Sequence, residues 1–463
     1  MENNENNENV AIGQKKYTRE TIIKCLGLSA IGAILFLMPM SYEGKLTLPV
    51  GILTQWLTEV LTPIMPTFVK ICIIISAIGS LVYAFAKPKV MRENELLKEC
   101  FETTPFWYVL RVAAGIIVTM IALNVGPEWI IGDDTGNYVL TEFLNSFIST
   151  IFVGGALMTL LLDFGIMDFV GALFSRFFRF LYHLPGYAAV DCLTSWLGTA
   201  VVGVLMTKDR YEKGFYSARE AAIITTTFSA CAIPFVIVIN ATLGLEDYFF
   251  EFFYINLITG FLVAIVMVRI PPLSWKKDTY LVDEPSAHVE KPKELSYLKF
   301  AACMALDRAE TSRFSVKNLI VTGARMIVVV GITTMPIVLV LGTACLALQA
   351  YTPVFTWLGM PFIPLLNLLQ VPEASAASGC IMAGFGDNFV PAIIASATVV
   401  SEYTKFIVGV LSINQLIYVS EVGALIIGAK VSINLLDLFV IFIERTVFCL
   451  IVIVCLTNLF GVF

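Results

Sequence analysis

Histidine is nearly absent: His183 and His288 are the only two in 463 residues. An imidazole metal centre is therefore not expected. The ten cysteines do not supply one either, because no CxxC pair and no Cys/His metal spacing occurs. Most stand inside apolar runs (Cys25, Cys72, Cys345, Cys449, Cys455) and read as small core hydrophobes. Charge is scarce as well, at 14% Asp, Glu, Lys and Arg, where a soluble domain carries roughly a quarter. Strongly basic tracts are missing, which argues against nucleic acid as a partner. No GxxxxGK[ST] loop is present to cradle a nucleotide phosphate. No zinc-protease, Ser-Lys or paired-Asp signature emerges, so the chain does not read as an enzyme.

What the sequence has in abundance is apolar surface. Hydrophobic residues make up 58%, with 34 Phe, and the mean hydropathy is +0.83. A soluble protein of this size could not hide that much apolar area. A membrane span needs about twenty apolar residues, and nine segments qualify: 21–40, 66–86, 106–125, 142–162, 218–243, 249–270, 319–346, 406–428 and 434–459. The first is long enough to span and has no small-residue cleavage site, so no cleaved signal is expected. Residues 1–9 hold only Met, Glu and Asn and read as a disordered tail.

The net charge of −6 says little, because in a membrane protein the placement of Lys and Arg sets the sides. Lys15, Lys16, Arg19 and Lys24 put the N-terminus in the cytoplasm. Lys87, Lys89, Arg92 and Lys98 put the second loop there. Arg176, Arg179, Lys208, Arg210, Lys213 and Arg219, and the run from Lys276 to Arg313, mark two further inner loops. Glu128, Asp133 and Asp134, and then Glu246 and Asp247, mark outer loops, with Lys45 and Lys405 as lone outer cations. Nine spans leave the C-terminus outside. The expected location is a plasma (bacterial inner) membrane, crossed many times.

Two stretches do not read as simple spans. Residues 185–207 are apolar but carry Asp191, Thr194, Ser195, Trp196 and Gly198, with inner-side charge on both flanks. Residues 371–400 carry Pro372, Glu373, Gly384, Gly386, Asp387 and Pro391 on the outer side. Each reads as a re-entrant hairpin, and irregular backbone at membrane depth must be buried in protein or line a cavity. An aromatic-rich segment precedes each, 164–181 and 351–369. In the first, Phe177, Phe178, Phe180 and Leu181 with Arg176 and Arg179 suit a helix lying in the headgroup plane.

The order span, interfacial segment, hairpin, span, span therefore occurs twice, entered from opposite sides. Inverted repeats whose broken elements meet at the midplane are a secondary-transporter plan. The span after each hairpin has a polar interruption: Thr225-Thr226-Thr227-Phe228-Ser229 before Pro234, and Ser412, Asn414 and Gln415 before Ser420-Glu421-Val422-Gly423. Hydroxyls and freed carbonyls suit a hard cation such as Na⁺, and a buried carboxylate suits a proton or a cationic solute. Ser and Thr also serve plain helix packing in membranes. Ionisable groups at depth default to functional hypotheses. The residues expected to hold the solute are Thr194, Ser195, Thr226, Ser229, Glu373, Ser375, Asp387, Gln415 and Ser420, and those for the coupling ion are Asp191, Thr227 and Glu421. Asp387 and Asp191 are equally suited to capping helical arms. Glu444 and Arg445 are adjacent within the last span and point about 100° apart, so each should pair elsewhere or snorkel. Arg325, Arg111 and Lys70 read as snorkelling anchors.

The segment Tyr216-Ser217-Ala218-Arg219-Glu220-Ala221 with Thr226-Thr227-Phe228-Ser229 resembles the YjiH-like membrane proteins. So does Pro372-Glu373-Ala374 with Gly384-Phe385-Gly386-Asp387-Asn388-Phe389 and Pro391-Ala392. These proteins carry the Gate, or nucleoside-recognition, domain. The resemblance covers nearly the whole chain beyond the tail and implies a fold like the concentrative nucleoside transporters: a scaffold plus a mobile unit of two hairpins and two unwound helices, with uptake coupled to Na⁺ or H⁺. The first hairpin's tip here is Leu193-Thr194-Ser195-Trp196-Leu197-Gly198, without the Glu of the nucleoside transporters.

The expected architecture is an all-α membrane protein of about nine transmembrane helices plus two re-entrant hairpins in an inverted repeat. Its parts are a tail (1–18), a three-helix scaffold (19–138), a first Gate repeat (139–270), a cytoplasmic linker (271–317) and a second Gate repeat (318–463). The expected function is cation-coupled secondary active transport of a small polar solute such as an amino acid, small peptide or nucleoside-like metabolite. No cofactor is expected beyond Na⁺ or H⁺ as coupling ion. The partners are the solute and the lipid bilayer, and a homo-oligomer is left open. The alternative is a non-transporting membrane interaction or assembly protein of the same class.

Overall fold

Apolar runs of this length become helices because hydrocarbon offers no partner to an open backbone N–H or C=O. A computed structural model describes the chain apart from residues 1–14, 16, 39, 43–44, 62, 134, 198–199, 229–232, 283–294, 419–421 and 430; at a few positions inside helices, such as Thr194, it describes the backbone alone. The expected tail 1–9, Ser229, Ser420 and Glu421 thus lie outside the described residues.

The first third contains α1 (Arg19–Leu37), a ribbon of β1 (Met40–Tyr42) and β2 (Lys45–Thr47), α2 (Pro49–Leu61), α3 (Met65–Ala86), α4 (Lys89–Glu93), α5 (Glu95–Phe101), α6 (Pro105–Leu123), α7 (Glu128–Ile131) and α8 (Gly136–Tyr138). The next segment has α9 (Leu144–Leu162), α10 (Ile166–Tyr182), α11 (Ala188–Leu197), α12 (Ala200–Glu212), α13 (Ala218–Thr227), α14 (Ile233–Thr242) and α15 (Phe249–Met267). After α16 (Tyr297–Thr311) come α17 (Val316–Tyr351), α18 (Val354–Gly359), α19 (Ile363–Leu368), α20 (Ala374–Ala383), α21 (Val390–Thr398), α22 (Glu402–Gln415), α23 (Ala424–Ala429) and α24 (Leu435–Phe460). Apart from this ribbon of two three-residue strands, the described elements are all helices, and the chain is a multi-pass membrane protein.

Five described helices are long and apolar enough to cross a membrane unaided: α3, α6, α15 with the turn before it, α17 and α24. The other four expected spans differ for local reasons. Arg19, Glu20 and Lys24 charge the start of α1. The chain bends by 61° between α9 and α10. The remaining two are interrupted, as α13/α14 and α22/α23. The interruptions fall where the polar clusters predict them.

The element order recurs. The segment α9, α10, α11/α12, α13/α14, α15 is followed by α17, α18–α19, α20/α21, α22/α23, α24. Helix α10 exposes Phe174, Phe177 and Phe180 while burying Phe178 and Tyr182, as an interfacial helix requires. Each pair, α11/α12 and α20/α21, packs arm against arm, and α14 touches α9, α21 and α22 while α12 touches α23. The pairs and broken spans thus form one packed centre, flanked by α3, α6, α9 and α17, which pack on one another.

Three features escape a reading by hydropathy. The short helices α2, α4 and α5 fill loops, and α16 stands within the expected linker. Lys15, assigned by sequence to the tail, bridges Asp307 at 3.0 Å and Glu310 at 2.6 Å on α16, and Tyr17 donates its hydroxyl to Asp307. Of the expected anchors, Arg111 does not snorkel and Arg325, half exposed, has an acidic partner. Arg111 is buried and donates to the Cys100 carbonyl at 2.6 Å near the end of α5, where a cation stabilises the helix terminus. Arg325 pairs with Glu99 at 2.7 Å, tying α17 to α5.

Candidate functional site

The expected site residues sort into three groups by position. Asp191, on α11, is buried, and its Oδ2 accepts from Arg210 Nη1 of α12 at 2.9 Å and from the Tyr216 hydroxyl. This network staples the two arms of the first pair to the segment entering α13. Asp191 is thereby paired with a cation of its own chain and lies about six residues, or roughly 9 Å, from the end of α11.

Glu373 and Ser375 begin α20 and are exposed. Glu373 has left-handed backbone (φ 53°), and its Oε2 accepts the N–H groups of Val400 and Ser401 at 3.0 and 3.2 Å. It closes the open end of the second pair. The eight residues from there to Ile381 span about 12 Å of helix. Among the described residues no hydrogen bond or ion pair joins Glu373, Ser375 or Asp191 to Gln415, which contacts Ile381.

The third group is central. Thr226 donates to the Ala222 carbonyl at 2.7 Å, a bond within its own helix. Thr227, at the end of α13, is buried, and its Oγ1 has no partner among the described residues. Ser195 is buried against Gly203 of the facing arm; a methyl at Gly203 would sit 1.8 Å from its Oγ, so the arms approach this closely only with glycine there. Asp387 is buried between α20 and α21 and accepts the Phe389 N–H at 2.9 Å, an Asx turn of the kind that starts a helix.

Gln415 ends α22. It is 1% exposed; its Nε2 donates to the Ile381 carbonyl at 3.1 Å and to Thr446 Oγ1 at 3.0 Å, while its Oε1 is unpartnered among the described residues. A methyl on Gly384 would lie 2.0 Å from that Oε1. The residue after it, Leu416, has φ 58°, so the helix stops at this point and Gln415 sits at the break. Around it, Phe385 packs on Phe442 of α24 at 5.1 Å, and Phe389 packs edge-on to Phe235 of α14 at 5.2 Å. The loop of the second pair, the break in α22/α23 and the first broken span therefore meet.

Two neighbours of Gln415 were not singled out from sequence as site residues. Asn414 donates to the Asn256 side chain of α15 at 2.7 Å, and its carbonyl accepts from Arg445 Nε of α24. Arg445 is 1% exposed, and neither terminal nitrogen has a partner among the described residues. A cation at mid-span costs about 2.5–3.5 kcal/mol on insertion scales, so an unmatched guanidinium needs a compensating role. The sequence expects Arg445 to pair elsewhere or snorkel; among the described residues it is held by the Asn414 carbonyl alone. A mid-span Arg with no acid one turn away on its own helix is the signal that could have flagged it.

The comparisons with known proteins bear on this arrangement. Residues 144–246 match the family described as Gate, nucleoside recognition. An uncharacterised protein of Alkalihalophilus pseudofirmus is 36% identical over 450 residues, covering 96% of each chain. Among solved structures, CNTnw substituted at two positions, in an outward-facing state, matches with TM-score 0.45 and 15% identity over 95% of this chain and 98% of that one. CNTnw in an inward-facing, substrate-bound state matches with TM-score 0.45 and 14% identity over 94% and 98%. The extent and identity of the match to the Alkalihalophilus protein, with the Gate match inside it, make this chain a member of the Gate-domain family of membrane proteins.

Proposed function

We propose that the protein is a secondary active transporter that couples a Na⁺ or H⁺ gradient to the movement of a small polar solute. The observation that carries this reading is the meeting of interrupted elements around buried polar atoms with no described partner, Thr227 Oγ1 at one break and Gln415 Oε1 at the other. Buried polar groups are nearly always satisfied, and in a membrane the cost of leaving them open is higher still. Helices that stop at mid-span beside such groups are how transporters build a site. The repeated element order supports the same reading, with α11/α12 and α20/α21 as re-entrant hairpins entering from opposite faces.

In this reading the pairs and broken spans move as a unit against α1, α3 and α6. The distribution of Lys and Arg supports a bacterial inner membrane with the N-terminus inside and the C-terminus outside. The Gate description adds nucleosides to amino acids and small peptides as solutes to test. The test is uptake into proteoliposomes under an imposed Na⁺ or H⁺ gradient, with all three solute classes. Accumulation above equilibrium that collapses with the gradient supports the proposal. No movement of any solute under either gradient refutes it and leaves a non-transporting assembly protein.

A further inference from the structure

Among the charges of the described core, Asp191 Oδ2 has Arg210 and Tyr216 and Asp387 has the N–H of Phe389, while Asp191 Oδ1 and Glu444 Oε2 are buried without a partner among the described residues. Arg445 is a cation left open at both terminal nitrogens. Its Nε is held by the Asn414 carbonyl, and Nη1 and Nη2 are buried without a partner among the described residues. The next residue, Thr446, accepts from Gln415 Nε2, whose own Oε1 is likewise buried and open. The crossing of α22 and α24 therefore holds a planar donor fork and, on the residue after the one whose carbonyl anchors it, a carboxamide acceptor. One turn before them, Phe442 packs on Phe385 in the loop of the second pair, which puts the crossing at the level of the break.

We infer that this crossing recognises a small solute with one carboxylate and an adjacent hydrogen-bond donor, an α-amino or α-hydroxy monocarboxylate. The inference rests on the transporter reading and names its substrate class. A guanidinium binds a carboxylate through two parallel N–H bonds, a geometry that an ammonium cannot reproduce. The amide oxygen of Gln415 accepts the neighbouring ammonium or hydroxyl. Arg445 is the one Lys or Arg on α24, and Glu444 before it has a buried open oxygen of its own, so the crossing has no positive charge to spare for more than one negative charge on the ligand. Along α22 the nearest described cation is Lys405, ten residues before Gln415, about 15 Å along the helix. A phosphate would need more positive charge than one guanidinium supplies. Of the acidic residues that suggest a cationic solute from sequence, Asp191, Glu373 and Asp387 each have an oxygen paired within the chain, and Glu421 lies outside the described residues.

The probes are lactate, glycolate, L-alanine, L-serine and L-glutamine, against lactamide and uridine, at fixed ionic strength. Purified protein in detergent is melted with each, and proteoliposome uptake is measured with the same set. A monocarboxylate should raise the melting temperature by about 2 °C or more at saturation and be taken up, whereas lactamide should do neither. Arg445→Gln should abolish the response. If that variant does not fold, Arg445→Lys carries the test, with at least tenfold weaker carboxylate binding expected. Unchanged binding by Arg445→Lys overturns the inference. So does recovery of Arg445→Gln by Glu421→Gln, because Arg445 would then serve an acid of its own chain. Uptake of uridine alone leaves the transporter reading intact and removes this one; uptake of no probe under any gradient removes both.

Discussion

Ser76 on α3 is explained by a proline on another helix. Pro336 lies inside α17 and has no N–H for the carbonyl four residues back, at Ile332. The Ser76 hydroxyl reaches across and donates to that carbonyl at 2.5 Å, fully buried. Ser76→Ala should therefore cost about 1–3 kcal/mol, the price of an unsatisfied buried acceptor. Pro336→Ala in the same chain should recover most of the loss, since the helix can then close its own bond; equal losses in the single and double variants, read from melting temperatures, would contradict the pairing. Asp191 makes a second case. Asp191→Asn should destabilise by roughly 2 kcal/mol, below the 3–5 of a fully buried pair because the Arg210 side chain is 34% exposed. Adding Arg210→Gln should cost less than the two separate losses summed, and strict additivity would argue against the pair. Sequence singles out Asp191 correctly as a costly charge, but its role depends on the register of α11 against α12, which no local pattern records.

Elements were legible where a strong local signal exists. Both broken spans follow from proline, glycine and hydroxyl clusters, the first pair from polar residues in an apolar run flanked by inner-side charge, and the second from its Pro, Gly, Glu and Asp residues. Helix α24 starts with an Asn434/Asp437 capping box, a motif readable from sequence. The helices α2 and α16 were not legible, because a search for long apolar runs passes over short or mixed helices. Docking of α16 also depends on charges distant in the chain. Glu310 and then Asp307 hold the Lys15 ammonium above its ordinary value of 10.5. A raised lysine contributes fully below its unfolded value and loses its contribution as pH rises through the folded one. The segment before α1 should thus stay docked on α16 across neutral pH and loosen only above about 10.5. Proteolysis near Lys15 should accelerate in that range; acceleration between pH 7 and 9 would contradict the assignment.

At the scale of the whole molecule, the sequence anticipates the order of parts and the centre where they meet, but not which polar groups reach it. Of the residues it nominates, Gln415 and Thr227 stand at the breaks, while Glu373, Ser375 and Asp191 serve the ends and arms of the pairs. The difference is physical: Glu373 and Asp191 each have an oxygen neutralised by donors of their own chain, so charge alone is a poor pointer to the site. An unmatched buried atom points there better, and Gln415 carries the clearest one. The most direct measurement is gradient-driven uptake by wild-type and Gln415→Ala protein, reconstituted at equal density and matched for melting temperature, with the solute the wild type accumulates. The account expects the wild type to accumulate that solute and the variant to lose most of the initial rate, tenfold or more. Equal accumulation by the two proteins would contradict it.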